Sequence, residues 1–139
     1  MGIINSFEVF IRNYKYEVDI MLVSMLKSKL HRAKVTDAKL HYAGSIAIDP
    51  DLMEAVGILP YEAVEIANVT NGNRFKTYAI QAQRGSKDII IMGAAAHLAK
   101  KDDVIIIFSF ADLDIEEAKT HKPSIVALDE ENNIIKKIC

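Results

Sequence analysis

A chain of 139 residues, half of them apolar and 26% charged, is the size of one domain with a full hydrophobic core. Its formal net charge of −2 gives no electrostatic attraction to nucleic acid or to an anionic membrane surface, so neither is predicted as a partner. No apolar run approaches the roughly 20 residues of a membrane span. The single cysteine, Cys139, fits a reducing compartment and a cytoplasmic location, since it has no internal disulfide partner.

Residues 1–20 mix apolar and charged side chains without the continuous apolar segment of a secretory signal. They are treated as an N-terminal extension of unknown role, in the form of an extra helix, a disordered tail or a misplaced start. Residues 21–139 form the predicted domain, because a more regular pattern begins at Met21. Alternating apolar and basic residues over 21–35 predict a strand, with Lys27 and Lys34 on a solvated face.

A short strand over residues 46–48 leads into a two-turn helix. Asp49 is a good N-cap, Pro50 suits the first helical position, and Gly57 ends the helix. A hairpin follows, because Asn71-Gly72 separates two strand-like segments. Period-two alternation along its return strand places two sets of side chains on opposite faces. One face carries Arg74, Lys76 and Tyr78, and the other carries Phe75, Thr77 and Ala79.

The C-terminal half adds strands at 89–92, 104–110, 124–128 and 134–135, and helical content over 115–120. The small-residue segment at 93–99 is either a short helix or a backbone that allows close approach of another group. The total of six to eight short strands and two or three short helices, without long crossover helices, predicts a mainly β fold. A compact β-barrel with helical inserts fits this pattern best.

The Gly44-Ser45 pair is the most suggestive local feature. Gly44 permits backbone angles that a residue with a Cβ resists, and the Ser45 hydroxyl is next to the Gly44 carbonyl, where a nucleophilic oxygen is able to attack. A Gly-Ser pair is also an ordinary turn. Nucleotide-binding glycine motifs and zinc-protease motifs are absent, and the four histidines lack metal spacing, so no metal is predicted.

Several ordered blocks carry a family resemblance over about residues 21–128. They are Lys29-Leu30-His31-Arg32-Ala33-Lys34-Val35-Thr36, Leu40-His41-Tyr42-Ala43-Gly44-Ser45-Ile46-Ala47-Ile48-Asp49, Glu65-Ile66-Ala67-Asn68-Val69-Thr70-Asn71-Gly72-Asn73-Arg74-Phe75, Thr77-Tyr78-Ala79-Ile80 and Gly93-Ala94-Ala95-Ala96. With them, the chain resembles the bacterial aspartate 1-decarboxylase family.

The resemblance implies a double-psi β-barrel with short helices, assembled as a homotetramer. It implies self-cleavage between Gly44 and Ser45, after which Ser45 becomes a covalent pyruvoyl group. This group is the electron sink for decarboxylation of L-aspartate to β-alanine in pantothenate synthesis, without PLP or a metal.

The resemblance also implies roles for individual residues. Thr77 assists the cleavage and contributes to substrate binding, and Tyr78 protonates the decarboxylated intermediate. Arg74 holds a substrate carboxylate through its planar fork, and Lys29 adds a second positive charge. The remaining matched positions are the pocket-lining Gly93, Ala94 and Ala95, and Tyr42 and His31 near the cleavage turn.

Two positions depart from the family pattern. Met92 replaces the usual Asn, and because a thioether lacks an amide donor, slower cleavage or turnover is expected unless another donor such as Asn68 substitutes. Ala67 replaces a bulky aromatic of some relatives, which is expected to widen the pocket. Two alternatives therefore stay open: a pyruvoyl decarboxylase of another amino acid, and an uncleaved, non-catalytic barrel that acts as an interaction module.

Overall fold

The computed structural model describes residues 6–11 and 14–139, with side chains described from Ile20 onward. Two compact units are present. The first comprises the described residues up to Met25 together with Ala111–His121, and the second comprises Leu26–Phe110 and Lys122–Cys139. In the first unit, strands β1 (Ser6–Ile11) and β2 (Tyr14–Asp19) form an antiparallel pair, so the extra helix, one of the three options for residues 1–20, is wrong for these residues.

The second unit is built on a mixed sheet of nine strands. In order across the sheet these are β11 (Ile134–Lys137), β10 (Ser124–Leu128), β3 (Leu22–Lys34), β9 (Val104–Asp114), β6 (Ala63–Asn68), β7 (Arg74–Gln81), β5 (Ser45–Ile48), β8 (Ile89–Met92) and β4 (Asp37–Lys39). Strands β3 and β9 contribute residues to both units. The pairs β3–β10, β5–β7 and β4–β8 are parallel, whereas β5–β8, β6–β7 and β6–β9 are antiparallel.

The core of the second unit consists of aliphatic side chains that alternate along these strands. Its fully buried members include Leu30, Ile46, Ile48, Ile66, Ile91 and Ile107. Burial of each such side chain contributes roughly 1.5–3 kcal/mol, so the central strands form a rigid support for the loops at their ends.

Helix α1 (Pro50–Val56) follows β5 with the predicted caps. The Asp49 carboxylate accepts a hydrogen bond from the Asp51 amide at 2.9 Å, and Gly57 ends the helix with a left-handed φ of 75°. Helix α2 (Ile115–Thr120) belongs to the first unit, and a short 3₁₀ helix (Gly93–His97) follows β8. The β6–β7 hairpin around Asn71-Gly72 also forms as predicted.

The prediction of a mainly β chain with short helices is confirmed, whereas the double-psi closure stays a prediction because the strand order is open from β11 to β4. The expected six to eight strands were too few: eleven occur in the described part of the chain. The solvated face predicted for Lys27 was also wrong, because Lys27 Nζ lies 2.8 Å from Glu62 Oε1 and 2.5 Å from the Gly57 carbonyl.

Candidate active site

The Gly44-Ser45 pair lies at the end of a connection that passes over the end of strand β8. Strands β4 and β5 flank β8, and both Lys39 at the end of β4 and Ser45 at the start of β5 pair with Met92. Residues 40–44, which we call the bridge, therefore pass over the end of β8 to connect its two neighbours. All five bridge residues are exposed, so this segment projects from the rigid sheet.

Ser45 is buried at the point where the bridge re-enters the sheet. Its side chain is 2% exposed, and its Oγ lies 3.7 Å from the Met92 Sδ. A thioether is a weak hydrogen-bond acceptor, so this contact restrains the hydroxyl without activating it as a base would. In the described part of the chain, this is the one hydrogen-bond partner of the Ser45 hydroxyl.

The conformational role predicted for Gly44 belongs instead to Gly93. Gly44 does not have a positive φ, and a Cβ added to it would meet no atom within 4 Å. Gly93 has a φ of 76°, which favours glycine, and lies against the bridge. The prediction that Gly44 supplies unusual backbone angles was therefore wrong.

Strand β7, which carries Thr77 and Tyr78, is the neighbour of β5 on the side away from β8. The β5–β7 register pairs Ile46 with Ala79, so Ser45 and Tyr78 each stand one residue before a paired position. Gly44 precedes β5 and belongs to the bridge, which turns toward β8 and Gly93 rather than along β7.

The predicted alternation along β7 is confirmed by burial. Arg74, Lys76 and Tyr78 are exposed, whereas Thr77 is half-buried and Ala79 is fully buried.

Lys29 and Arg74 line a separate pocket of about 320 Å³. The Arg74 guanidinium carbon lies 5.6 Å from the centre of the Phe108 ring, a cation–π contact that directs the side chain along the pocket wall. Ala67 is part of the wall, and the other lining residues are apolar: Leu26, Ile106, Phe108 and Phe110.

Within one chain the two groups of predicted site residues are apart. Arg74 and Tyr78 are four positions apart on β7, which corresponds to about 13 Å along an extended strand. The structure thus places Gly44 and Ser45 against Gly93 and Met92, with Thr77 and Tyr78 on the neighbouring strand β7. It places Lys29 with Arg74 in the separate pocket.

Tyr42 and His31 have different surroundings. Tyr42 is an exposed bridge residue whose ring lies 5.3 Å from Lys39 Nζ. His31 is on β3, two residues beyond Lys29, and its buried Nδ1 has no hydrogen-bond partner in the described part of the chain. Burial and the charges of Lys29 and Arg32 lower the pKa of His31, which favours the neutral imidazole.

The 3₁₀ helix that begins at Gly93 is held by hydrogen bonds that were not predicted from the sequence. Gly93 is buried, Ala94 is exposed and Ala95 is half-buried. Just beyond this helix, the Leu98 carbonyl accepts hydrogen bonds at 3.1 Å from three side-chain amides, which we call the amide clamp: those of Asn68, Asn71 and Asn73. Asparagines at 68, 71 and 73 were a visible signal, but Asn71 was interpreted only as a turn residue and Asn68 only as a possible substitute for the missing family Asn.

The suggestion that Asn68 substitutes for the missing family Asn was wrong. Asn68 is 3% exposed, and its amide nitrogen donates to the Leu98 carbonyl and, at 2.9 Å, to Asp103 Oδ2. Both amide hydrogens are therefore already used.

No group of three or more His, Cys, Asp or Glu side chains in the described residues is arranged to hold a metal ion. In that same part of the chain, no helix is both long enough and apolar enough to cross a bilayer.

Comparison with known proteins gives a consistent result. A family model described as aspartate decarboxylase matches residues 21–135. An aspartate 1-decarboxylase of Caulobacter vibrioides is 56% identical over 117 residues, which cover 84% of this chain and 98% of that protein. Proteins of the same name from Maricaulis maris and Caldicellulosiruptor saccharolyticus are 54% and 53% identical, with 84% of this chain covered in each case and 97% and 91% of the relatives.

Proposed function

The chain belongs to the aspartate decarboxylase family, and we propose that it converts L-aspartate to β-alanine and CO₂ after cleaving its own backbone between Gly44 and Ser45. The observation that carries this proposal is the position of Ser45, a buried hydroxyl that directly follows an exposed bridge and begins the strand that pairs with β7, the strand of Thr77 and Tyr78. The β-alanine serves pantothenate and coenzyme A biosynthesis, and the proposed location is the cytoplasm.

The cleavage begins with an acyl shift. Ser45 Oγ bonds to the Gly44 carbonyl carbon, the peptide C–N bond breaks, and the proton from the hydroxyl ends on the released Ser45 amine. Loss of the Ser45 α-proton then expels the Gly44 carboxylate from Cβ and leaves a dehydroalanine. Addition of water and release of ammonia give an N-terminal pyruvoyl group at position 45. Thr77, on the strand that pairs with β5, is the proposed donor of a hydrogen bond to the oxyanion of the first step, in line with the family resemblance.

The proposed cofactor is therefore made from the chain itself. The residues present fit this group, because Ser45 supplies its carbon atoms and the half-buried Met92 borders its position. Once formed, a pyruvoyl carbonyl supplies the electron sink that decarboxylation of an α-amino acid requires.

The side chains of the chain bind and protonate the substrate. Arg74 offers a planar pair of donors for one carboxylate of L-aspartate, and Lys29 in the same pocket adds a second positive charge. Tyr78, on the strand next to β5, is the proposed proton donor to the carbon that loses CO₂.

A complete site needs two copies of the chain. The Lys29–Arg74 pocket and the Ser45–Tyr78 region are separated within one chain by about 13 Å along β7, whereas aspartate must contact both. We therefore propose a homotetramer in which the pocket of one copy faces the cleavage region of another. The family resemblance supports the same arrangement.

Intact mass after expression tests the proposal. Wild-type protein is expected as fragments of 44 and 95 residues, the longer one lighter by one ammonia than a serine-ended fragment and reactive with ketone reagents. Ser45→Ala is expected to stay whole and inactive, because no hydroxyl remains to accept the acyl group. A wild-type chain that stays whole after prolonged warming contradicts the proposal and favours a non-catalytic interaction module.

The small Ala67 in the pocket wall motivates one alternative, a longer amino acid as substrate. Rates of CO₂ release from L-aspartate and L-glutamate distinguish the two. We expect aspartate to be preferred, and a preference for glutamate would assign the chain a different substrate.

A further inference from the structure

The path of the bridge over the end of β8 depends on the residue that it passes over. Lys39 and Ser45 both pair with Met92, so residues 40–44 begin and end beside the same residue and must pass over the one that follows it. That residue is Gly93, which is buried although the bridge above it is exposed. Neighbouring strands are about 4.8 Å apart, so a bridge of five residues spans roughly 10 Å and runs close to the strand end.

The contact leaves no room for a side chain at position 93. A Cβ on Gly93 would lie 2.6 Å from the Gly44 Cα, 2.9 Å from the Gly44 nitrogen and 2.9 Å from the Tyr42 carbonyl oxygen. All three are backbone atoms, so a clash is not relieved by rotation of a side chain. The bridge itself would have to move.

The two residues of the scissile bond thus rest on two consecutive residues of β8 and its extension. Ser45 Oγ contacts Met92 Sδ at 3.7 Å, and the Gly44 backbone rests directly on Gly93. Because the bridge is exposed and the strands beneath it are buried, outward displacement of Gly44 alters the scissile bond far more than it alters the core.

We propose that Gly93 is a positioning residue for self-cleavage. Because Gly93 has no side chain, the bridge packs directly against its backbone, and this contact holds the Gly44 carbonyl within reach of the Ser45 hydroxyl. This role rests on the proposed function and extends it, because Gly93 acts before the pyruvoyl group exists rather than as part of the substrate pocket. A misplacement of about 1 Å in a reacting pair costs on the order of 100-fold in rate.

The test compares Gly93→Ala with Gly57→Ala. Both glycines have nearly the same left-handed φ, 76° and 75°, but a Cβ at Gly57 would meet nothing within 4 Å. The two variants therefore share the conformational penalty and differ in the clash. Cleavage is followed over time by intact mass, with the expectation that Gly57→Ala cleaves like wild type and Gly93→Ala at least about 100-fold more slowly.

A second measurement separates positioning from folding. Both substitutions are placed in the uncleavable Ser45→Ala chain, and thermal melting is compared. We expect the two midpoints to fall by a similar few degrees, since the exposed bridge moves without disturbing the core. If the Gly93→Ala chain fails to fold, or melts far below its partner, position 93 is a general requirement of the fold and the positioning role is refuted.

The remaining outcomes also decide the matter. If wild type cleaves and Gly93→Ala cleaves as fast as Gly57→Ala, the role of Gly93 is overturned while the proposed function stands. If wild type never cleaves, the proposed function fails and the role of Gly93 fails with it.

Discussion

At the scale of single residues, the main feature of the cleavage region is the weak hydrogen-bond partner of the Ser45 hydroxyl. Its partner in the described part of the chain is a thioether sulfur, where the family pattern places an amide. The hydroxyl is therefore buried and restrained by a weak acceptor, which does not activate it for attack. This predicts a slow acyl shift, which a single substitution should accelerate.

Met92→Asn is expected to cleave about fivefold faster than wild type, since one added hydrogen bond of roughly 1 kcal/mol in the transition state corresponds to that factor. Met92→Leu is the control, because it keeps the apolar bulk and removes only the sulfur. We expect it to cleave within about twofold of wild type, since the thioether contact is weak. Time courses of intact mass measure all three chains, and a slower Met92→Asn would contradict the argument.

Asp49 follows strand β5, four residues beyond Ser45, and we expect it to make the free energy of unfolding depend on pH. Its carboxylate is 1% exposed. Burial opposes its ionisation, but hydrogen bonds from the amides of Asp51, Lys87 and Gly85, together with the charge of Arg84, lower its pKa below the usual value.

Because the folded-state pKa is depressed, the stabilisation by Asp49 is complete above the ordinary aspartate range and is lost as the pH falls through the folded-state value. Asp49→Asn is therefore expected to cost about 1–3 kcal/mol at pH 7 and to flatten the loss of stability below about pH 4. Urea denaturation at several pH values measures both effects. The exposed Asp102→Asn serves as the control, and equal pH profiles for the two variants would refute the assignment to Asp49.

At the scale of elements, the amide clamp joins the β6–β7 hairpin to the segment after the 3₁₀ helix. A carbonyl oxygen has two lone pairs, so three donors on Leu98 are partly redundant. Asn68 is not redundant, because it also supplies a buried hydrogen bond to Asp103. The amide clamp thereby fixes the position of the 3₁₀ helix that begins at Gly93. It therefore also fixes Gly93, the residue on which the bridge rests.

Asn68→Ala is expected to destabilise the fold by about 2–3 kcal/mol, since it leaves a buried carboxylate short of a partner. Asn71→Ala removes an exposed donor from the same carbonyl and is expected to cost less than about 1 kcal/mol. Urea denaturation of the two variants gives the comparison. Equal losses would indicate that the shared Leu98 carbonyl, rather than the buried Asp103 contact, carries the stabilisation.

The sequence predicted those elements whose signals are local. The caps of α1, the Asn71-Gly72 turn and the alternation along β7 each depend on residues a few positions apart, and all three are confirmed. Strand β4 was missed because three residues are too few to show a period, and it exists only through its pairing with β8.

The same limit applies to the candidate site. Gly44-Ser45 was identified from a local motif and a family resemblance, but the contact with Gly93 arises between segments distant in sequence that the sheet order brings together. The unusual backbone was thus assigned to Gly44, and for the segment that begins at Gly93 a short helix and a close approach of backbone stayed open as alternatives; the structure has both. Periodicity gives the faces of strands, whereas it carries no information on which loop passes over which strand end.

At the scale of the whole molecule, the separation of the two groups of site residues makes a quantitative prediction. If each complete site takes Ser45 and Tyr78 from one copy and Lys29 and Arg74 from another, two inactive variants should complement each other. Ser45→Ala lacks the cleavage function but keeps the pocket, and Arg74→Ala keeps the cleavage function but lacks the pocket cation.

In a coexpressed one-to-one mixture, each site draws its two halves at random. About one quarter of the sites then combine an intact cleavage region with an intact pocket, so roughly a quarter of the wild-type rate of CO₂ release is expected. Each variant expressed alone serves as the control and should be nearly inactive. A mixture no more active than the controls would place both halves of the site in a single chain, and the distance along β7 would then have to be closed by rearrangement within that chain.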